Sequence, residues 1–171
     1  MARNHGSQIK WTAYSLAYLF LHLLKFGLLN RVPVNGAVPE FATIAVAAVG
    51  CFEGPFSGAL YGLGIGLFCS AVYYRAGSMM IAICTLVGWL SGLTTDLQVG
   101  KNFLGVVLCG SLSVVLLEAI RVGYYHFFGK NDLDILLSIA IPEGLYSLAF
   151  VIPMYFLFVM VFLKFRTDME L

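Results

Sequence analysis

Glycine recurs at every fourth position from Gly54 through Gly58, Gly62 and Gly66, inside a run otherwise as apolar as a membrane span. Four-residue spacing puts these positions in one stripe along a helix. Lipid tails are as apolar as leucine, so helices in a bilayer associate chiefly through close backbone packing. Small residues four apart provide the groove for that packing. The stripe therefore predicts a chain of membrane helices, one of them shaped for tight contact. Two readings of it stand. A neighbouring helix of the same bundle covers the groove, which the short loops on both sides favour, or a partner's helix does.

Composition agrees with a bilayer. Of 171 residues, 60% are hydrophobic and 11% charged, against about 25% charged in soluble domains. The length suits one membrane-embedded helical domain over residues 1–171. A net charge of +1 and the lack of a Lys/Arg cluster give nucleic acid nothing to bind. Cys51, Cys69, Cys84 and Cys109 lie in or beside apolar runs without C-x-x-C spacing, as small packing residues do. His5, His22 and His126 sit in separate segments, so no metal site is expected.

A bilayer core takes about 20 apolar residues per helix. The first span is expected over Trp11–Leu29, retained rather than cleaved as a signal, followed by a loop from Asn30 to Val38 with Pro33, Asn35 and Gly36. Pro39 and Glu40 suit the first turn of a short second helix reaching Phe52. Gly54-Pro55 breaks the chain, and Pro55 opens the glycine-striped third helix, which ends near Tyr73-Tyr74-Arg75. A fourth helix, about Ser78–Leu93, repeats the small-residue pattern at Gly88, Ser91 and Gly92. The fifth begins after Lys101-Asn102 and reaches Phe127; Gly129 to Asp132 form a polar turn. Leu133–Ile141 is too short to span and reads as interfacial or re-entrant. The sixth helix then covers Pro142–Leu163, with Pro153 as its kink and Glu143 favouring its start. Six transmembrane helices place both termini on one side. The basic ends Arg3/Lys10 and Lys164/Arg166 favour the cytoplasm for both.

Ionisable residues within the apolar runs are the remaining signals. Glu118 and Arg121, three apart on the fifth helix, can meet on one face. They form either a buried pair or a pair snorkelling to the interface. His22 and Lys25 stand in the same relation on the first helix, and Glu53 is expected in water at the short turn between the second and third helices. No P-loop, G-x-S-x-G elbow or H-E-x-x-H pair occurs. Gly62-x-Gly64-x-Gly66 lacks the preceding strand that a nucleotide loop requires. The expectation is a protein that is not an enzyme and uses no cofactor.

Three stretches carry a family resemblance. These are Val38-Pro39-Glu40, the run Gly54-Pro55-x-x-Gly58-x-x-x-Gly62-x-x-x-Gly66-Leu67, and Val87-Gly88-Trp89-Leu90-Ser91-Gly92. Glu118, Pro142 and Tyr146 add to them. Together they resemble the bacterial rod shape-determining protein family MreD over nearly the whole chain. The chain departs from the family's pattern at Glu53, where a basic residue is common, and at Ser70, where an acid is common. The resemblance implies a scaffold of the cell-elongation complex in the bacterial inner membrane, supporting cell shape and peptidoglycan synthesis. Its implied partners are MreC, the RodA polymerase with its penicillin-binding transpeptidase, MreB filaments and the surrounding membrane lipids. The implied fold is a six-helix bundle similar to the substrate-binding subunits of energy-coupling-factor transporters. A vitamin-capturing subunit of such a transporter is the alternative, and Ala13-x-x-x-Ala17 looks like the small-residue pair with which such subunits dock.

Overall fold

The computed structural model describes residues 3–27, 38–72, 77–95, 102–129 and 132–167. These residues form seven helices: α1 (Arg3–Gly27), α2 (Ala42–Glu53), α3 (Pro55–Val72), α4 (Gly77–Leu93), α5 (Phe103–Phe127), α6 (Leu133–Ala149) and α7 (Val151–Thr167). No strand occurs among the described residues. The expected loop over residues 30–37 lies outside them, as do Tyr73 to Arg75.

Helix α2 is the hub. Every residue from Ala42 to Phe52 is buried, and α1, α3, α4, α5 and α7 all touch it. Its sequence is apolar on all sides, which is what a helix surrounded by others requires. Its alanines and Gly50 let neighbours come close. Pro39 and Glu40 precede the helix rather than forming its first turn, which corrects the expected start. The Glu40 carboxylate instead lies 3.4 Å from the Ala42 amide, serving the helix end from outside. At the other end Thr95 donates to the carbonyls of Gly50 and Cys51, at 3.2 and 3.0 Å.

Around the hub the usual polarity is inverted. On α5 the inward positions are Gly105, Val106, Gly110, Ser113, Val114 and Leu117, while Leu104, Leu108, Leu112 and Val115 face outward. Three of the six inward positions are Gly or Ser, and the outward ones are large aliphatics, which suits a helix packed in lipid. By length and composition α3 and α5 can each cross a membrane, and α6 with α7 forms a third crossing if that pair, bent by 42°, counts as one span. Helices α2 and α4 are shorter apolar helices. Polar residues such as Lys10, His22 and Lys25 lower the hydropathy of α1.

The C-terminal region departs most from expectation. Leu133–Ile141 is not a separate re-entrant piece, and Pro142 does not open a helix. Instead α6 runs through Pro142 without interruption, and Glu143 lies within it. The break falls at Phe150, three residues before Pro153. Pro153 occupies the first turn of α7, where a helix has unpaired amides in any case. Its ring opposes the Ala149 carbonyl, so the chain cannot continue straight from α6. The expected kink is thus a full break between two helices.

Candidate functional site

The glycines build a seam between α3 and α4. A Cβ added at Gly62 would land on the Cys84 carbonyl, and one at Gly58 on the Gly88 carbonyl. At Gly66 it would come within 2.6 Å of the Ile81 Cα. The relation is mutual: a Cβ at Gly88 would meet the Gly58 carbonyl, and one at Gly92 the backbone of Pro55. Gly50 of α2 joins the seam, 2.7 Å from the Gly88 carbonyl by the same construction. Backbone meets backbone here, and no other residue fits. Gly54 departs from the stripe. It precedes α3, with φ 93° and ψ 175°, and nothing lies within 4 Å of its Cβ position. Its role is the α2–α3 turn, in a region of backbone space essentially restricted to glycine.

Charged side chains tie α1 to both ends of α2, and α5 to α6. At one end of α2, Lys10 Nζ of α1 lies 2.6 and 2.8 Å from the two Glu53 oxygens, and the Tyr14 hydroxyl donates to Glu53 at 3.0 Å. Glu53 is therefore not a solvated turn residue, as expected from the sequence, but the acceptor of a largely buried pair. Rings of Trp11, Tyr14, Tyr61 and Phe158 pack around this end. The Tyr61 hydroxyl donates to the Tyr14 carbonyl at 3.0 Å, joining α3 to α1.

At the opposite end of α2, Lys25 donates to Glu40 at 2.8 Å. The Glu40 amide donates to Ser147 Oγ at 2.9 Å, and that hydroxyl donates to the Glu143 carbonyl at 2.8 Å. Arg121 lies beside this chain. It reaches Glu118 at 3.4 Å, but its closer partner is Glu143 of α6, at 2.7 Å. The i,i+3 pair seen in the sequence thus supplies two members of a three-residue cluster. The third, Glu143, stands 22 residues from Arg121 and left no local signal. Gly144 faces Glu118 across this contact, and a Cβ there would meet Glu118 Cγ at an ordinary 3.7 Å. His22 is buried against the rings of Tyr18 and Phe68, 5.9 and 5.2 Å between centroids.

The four cysteines are free thiols. Cys69 contacts the Tyr18 hydroxyl at 3.1 Å, and Thr94 Oγ1 lies 3.6 Å from Cys51 Sγ and 3.8 Å from Cys109 Sγ. Among the described residues no group of three or more His, Cys, Asp or Glu side chains is arranged to hold a metal ion. Two cavities matter. A groove of about 760 Å³ separates α1 from α3, with Trp11, Leu16, Tyr61, Gly64 and Phe68 in its walls. A cleft of about 180 Å³ lies between α5 and α6, where Glu118, Arg121 and Glu143 face Val122, Tyr125 and Ile139.

Set against family models, curated proteins and solved structures, the chain matches none of them.

Proposed function

We propose that this chain is a non-enzymatic, multi-pass scaffold of the bacterial inner membrane that serves the cell-elongation machinery, as its resemblance to the MreD family implies. In this reading α1 to α5 each cross the bilayer once and α6 with α7 forms one bent crossing. That gives six crossings and two cytoplasmic termini. The observation that carries the reading is how the interior charges are used. Lys10–Glu53, Lys25–Glu40 and Arg121–Glu143 clamp α1 to α2 and α5 to α6. Buried charges committed to one another hold a shape; a reacting centre needs groups aimed at a substrate. Outside, the bundle offers long rows of aliphatic and aromatic side chains to lipid and to partner helices.

The partners of this reading are MreC, the RodA polymerase with its transpeptidase, and through them MreB filaments. Purification from native membranes, with partner identification, tests it directly. The expected result is recovery of the single-span partner, together with rounding of rod-shaped cells on depletion. Recovery of a coupling-factor ATPase, with lost vitamin uptake and normal shape, would replace the scaffold by the transporter subunit.

A further inference from the structure

Two thiols meet where α2, α4 and α5 come together. Cys51 lies in the last turn of α2, Cys109 in the second turn of α5, and Thr94 just past the end of α4. The Thr94 hydroxyl oxygen stands 3.6 Å from Cys51 Sγ and 3.8 Å from Cys109 Sγ. The two thiols also interact directly with each other. The remaining cysteines lie apart from this group: Cys69 contacts Tyr18, and Cys84 sits midway along α4.

The two members of the pair differ in access. Cys51 is fully buried, its thiol donating to the Ser91 carbonyl at 3.7 Å. Cys109 is only partly buried and lines a cleft of about 110 Å³ between α4 and α5. That volume is several times the roughly 30 Å³ share of a water molecule. Leu90 and Leu112 of its walls face outward, so the cleft opens at the surface of the bundle. Helix α4 ends at Leu93 and α5 begins at Phe103, which sets the cleft near one end of the bundle. A partly exposed thiol is open to oxidants that a buried one never meets. Beside it, within reach, stands a second thiol that can resolve the product.

We propose that Cys109 and Cys51 are an oxidation site: Cys109 takes up oxygen from a peroxide, and Cys51 converts the product to a disulfide joining α5 to α2. In the first step an S–O bond forms at Cys109 as the O–O bond of hydrogen peroxide breaks. The thiol proton leaves with the second oxygen as water. In the next step the Cys51 sulfur attacks the Cys109 sulfenic acid. The S–S bond forms, the S–O bond breaks, and the hydroxyl departs with the Cys51 proton as a second water. Each sulfur is oxidised by one electron, and the peroxide is reduced to two waters. The bond ties the loosely clamped α5 to the central helix. This site stands independently of the scaffold reading, since it needs only the fold.

The test uses the full chain in nanodiscs of phosphatidylethanolamine and phosphatidylglycerol, reduced and then treated with hydrogen peroxide. The exposure is set to one that converts glutathione to its disulfide. Free thiols are then blocked with N-ethylmaleimide in SDS, and the digest is read by mass spectrometry. The expected result is loss of two of the four thiols to one Cys51–Cys109 disulfide, with Cys69 and Cys84 blocked. In Cys51→Ser the reaction should stop at Cys109, whose sulfenic acid dimedone captures. In Cys109→Ser the buried Cys51 should stay free. Peroxide added in SDS, where the helices no longer hold the pair together, should give no such selectivity. Four blocked thiols in the parent chain overturn the site. So does a disulfide through Cys69 or Cys84, or a Cys51–Cys109 bond formed equally well in SDS.

Discussion

Between α3 and α4 the helices meet backbone to backbone, with Gly58 against Gly88 and Gly62 against Cys84. Between α5 and α6 they meet through Arg121, Glu118 and Glu143, and a cleft remains beside the contact. Both solve the problem of holding helices together where burial of apolar surface supplies little attraction. The glycine seam does so at contact distance, leaving no space and admitting no side chain. The charged cluster does so at arm's length, through flexible side chains that must be matched in sign. Of α6 only Ala140 and Ser147 are buried, whereas α2 is buried along its length. One region is therefore a rigid centre and the other a loosely clamped edge.

The contrast breaks most severely if the edge loses its cation. Arg121→Ala leaves Glu118 and Glu143 facing each other without compensation. Removing one partner of a buried pair costs about 3–5 kcal/mol, and the 29% exposure of Arg121 puts this case toward the lower end. Melting in detergent should fall clearly, and the double variant with Glu143→Gln should recover much of the loss. Additive losses would mean that the cluster contributes no coupling.

A smaller effect is expected at the turn that starts the seam. Gly54→Ala forces a side chain into the conformation at φ 93°, at a cost of about 1–3 kcal/mol. No steric contact contributes, because nothing lies within 4 Å of the Cβ position. Thermal melting of this variant separates backbone strain from packing; an unchanged midpoint would reject the strained turn.

These two sites also mark what the sequence could and could not reveal. The four-residue period of Gly58, Gly62 and Gly66, matched by Gly88 and Gly92, was legible because a helix turns local spacing into a face. The same period counted Gly54 into the covered stripe, although Gly54-Pro55 also marked the break that precedes α3, and the break is what Gly54 serves. Glu118 and Arg121 were legible as neighbours for the same reason. Glu143 was not, nor was Lys10 as the partner of Glu53, 43 residues away. Such pairs depend on how helices are arranged, which local periodicity does not encode. Pro142 and Pro153 make the point again. Pro142 sits inside α6, which absorbs the lost helical bond, whereas Pro153 sits in the first turn of α7, just after the chain breaks.

The smallest effect sharpens the picture of the edge. Glu118→Gln removes the more distant of the two carboxylates beside Arg121 while keeping its shape and one acceptor. In lipid-free detergent the variant should melt no lower than the parent. A marked loss of stability would show Glu118 to be an essential structural partner of Arg121.

The claim at the centre is that the glycine stripe is a seam inside the bundle, and two residues of α3 test it against each other. Gly62 faces α4, where any side chain strikes the Cys84 carbonyl; Gly64 faces the open groove, with nothing within 4 Å. Gly62→Leu should lose at least the 1–3 kcal/mol typical of overpacking, and even Gly62→Ala should be felt. Gly64→Leu should stay within about 0.5 kcal/mol of the parent or gain from the better helix former. The measurement is the melting midpoint of the two leucine variants, purified side by side in one detergent. A large drop for Gly62→Leu with none for Gly64→Leu is the predicted result. Equal midpoints would place the stripe against lipid or a partner and contradict the seam.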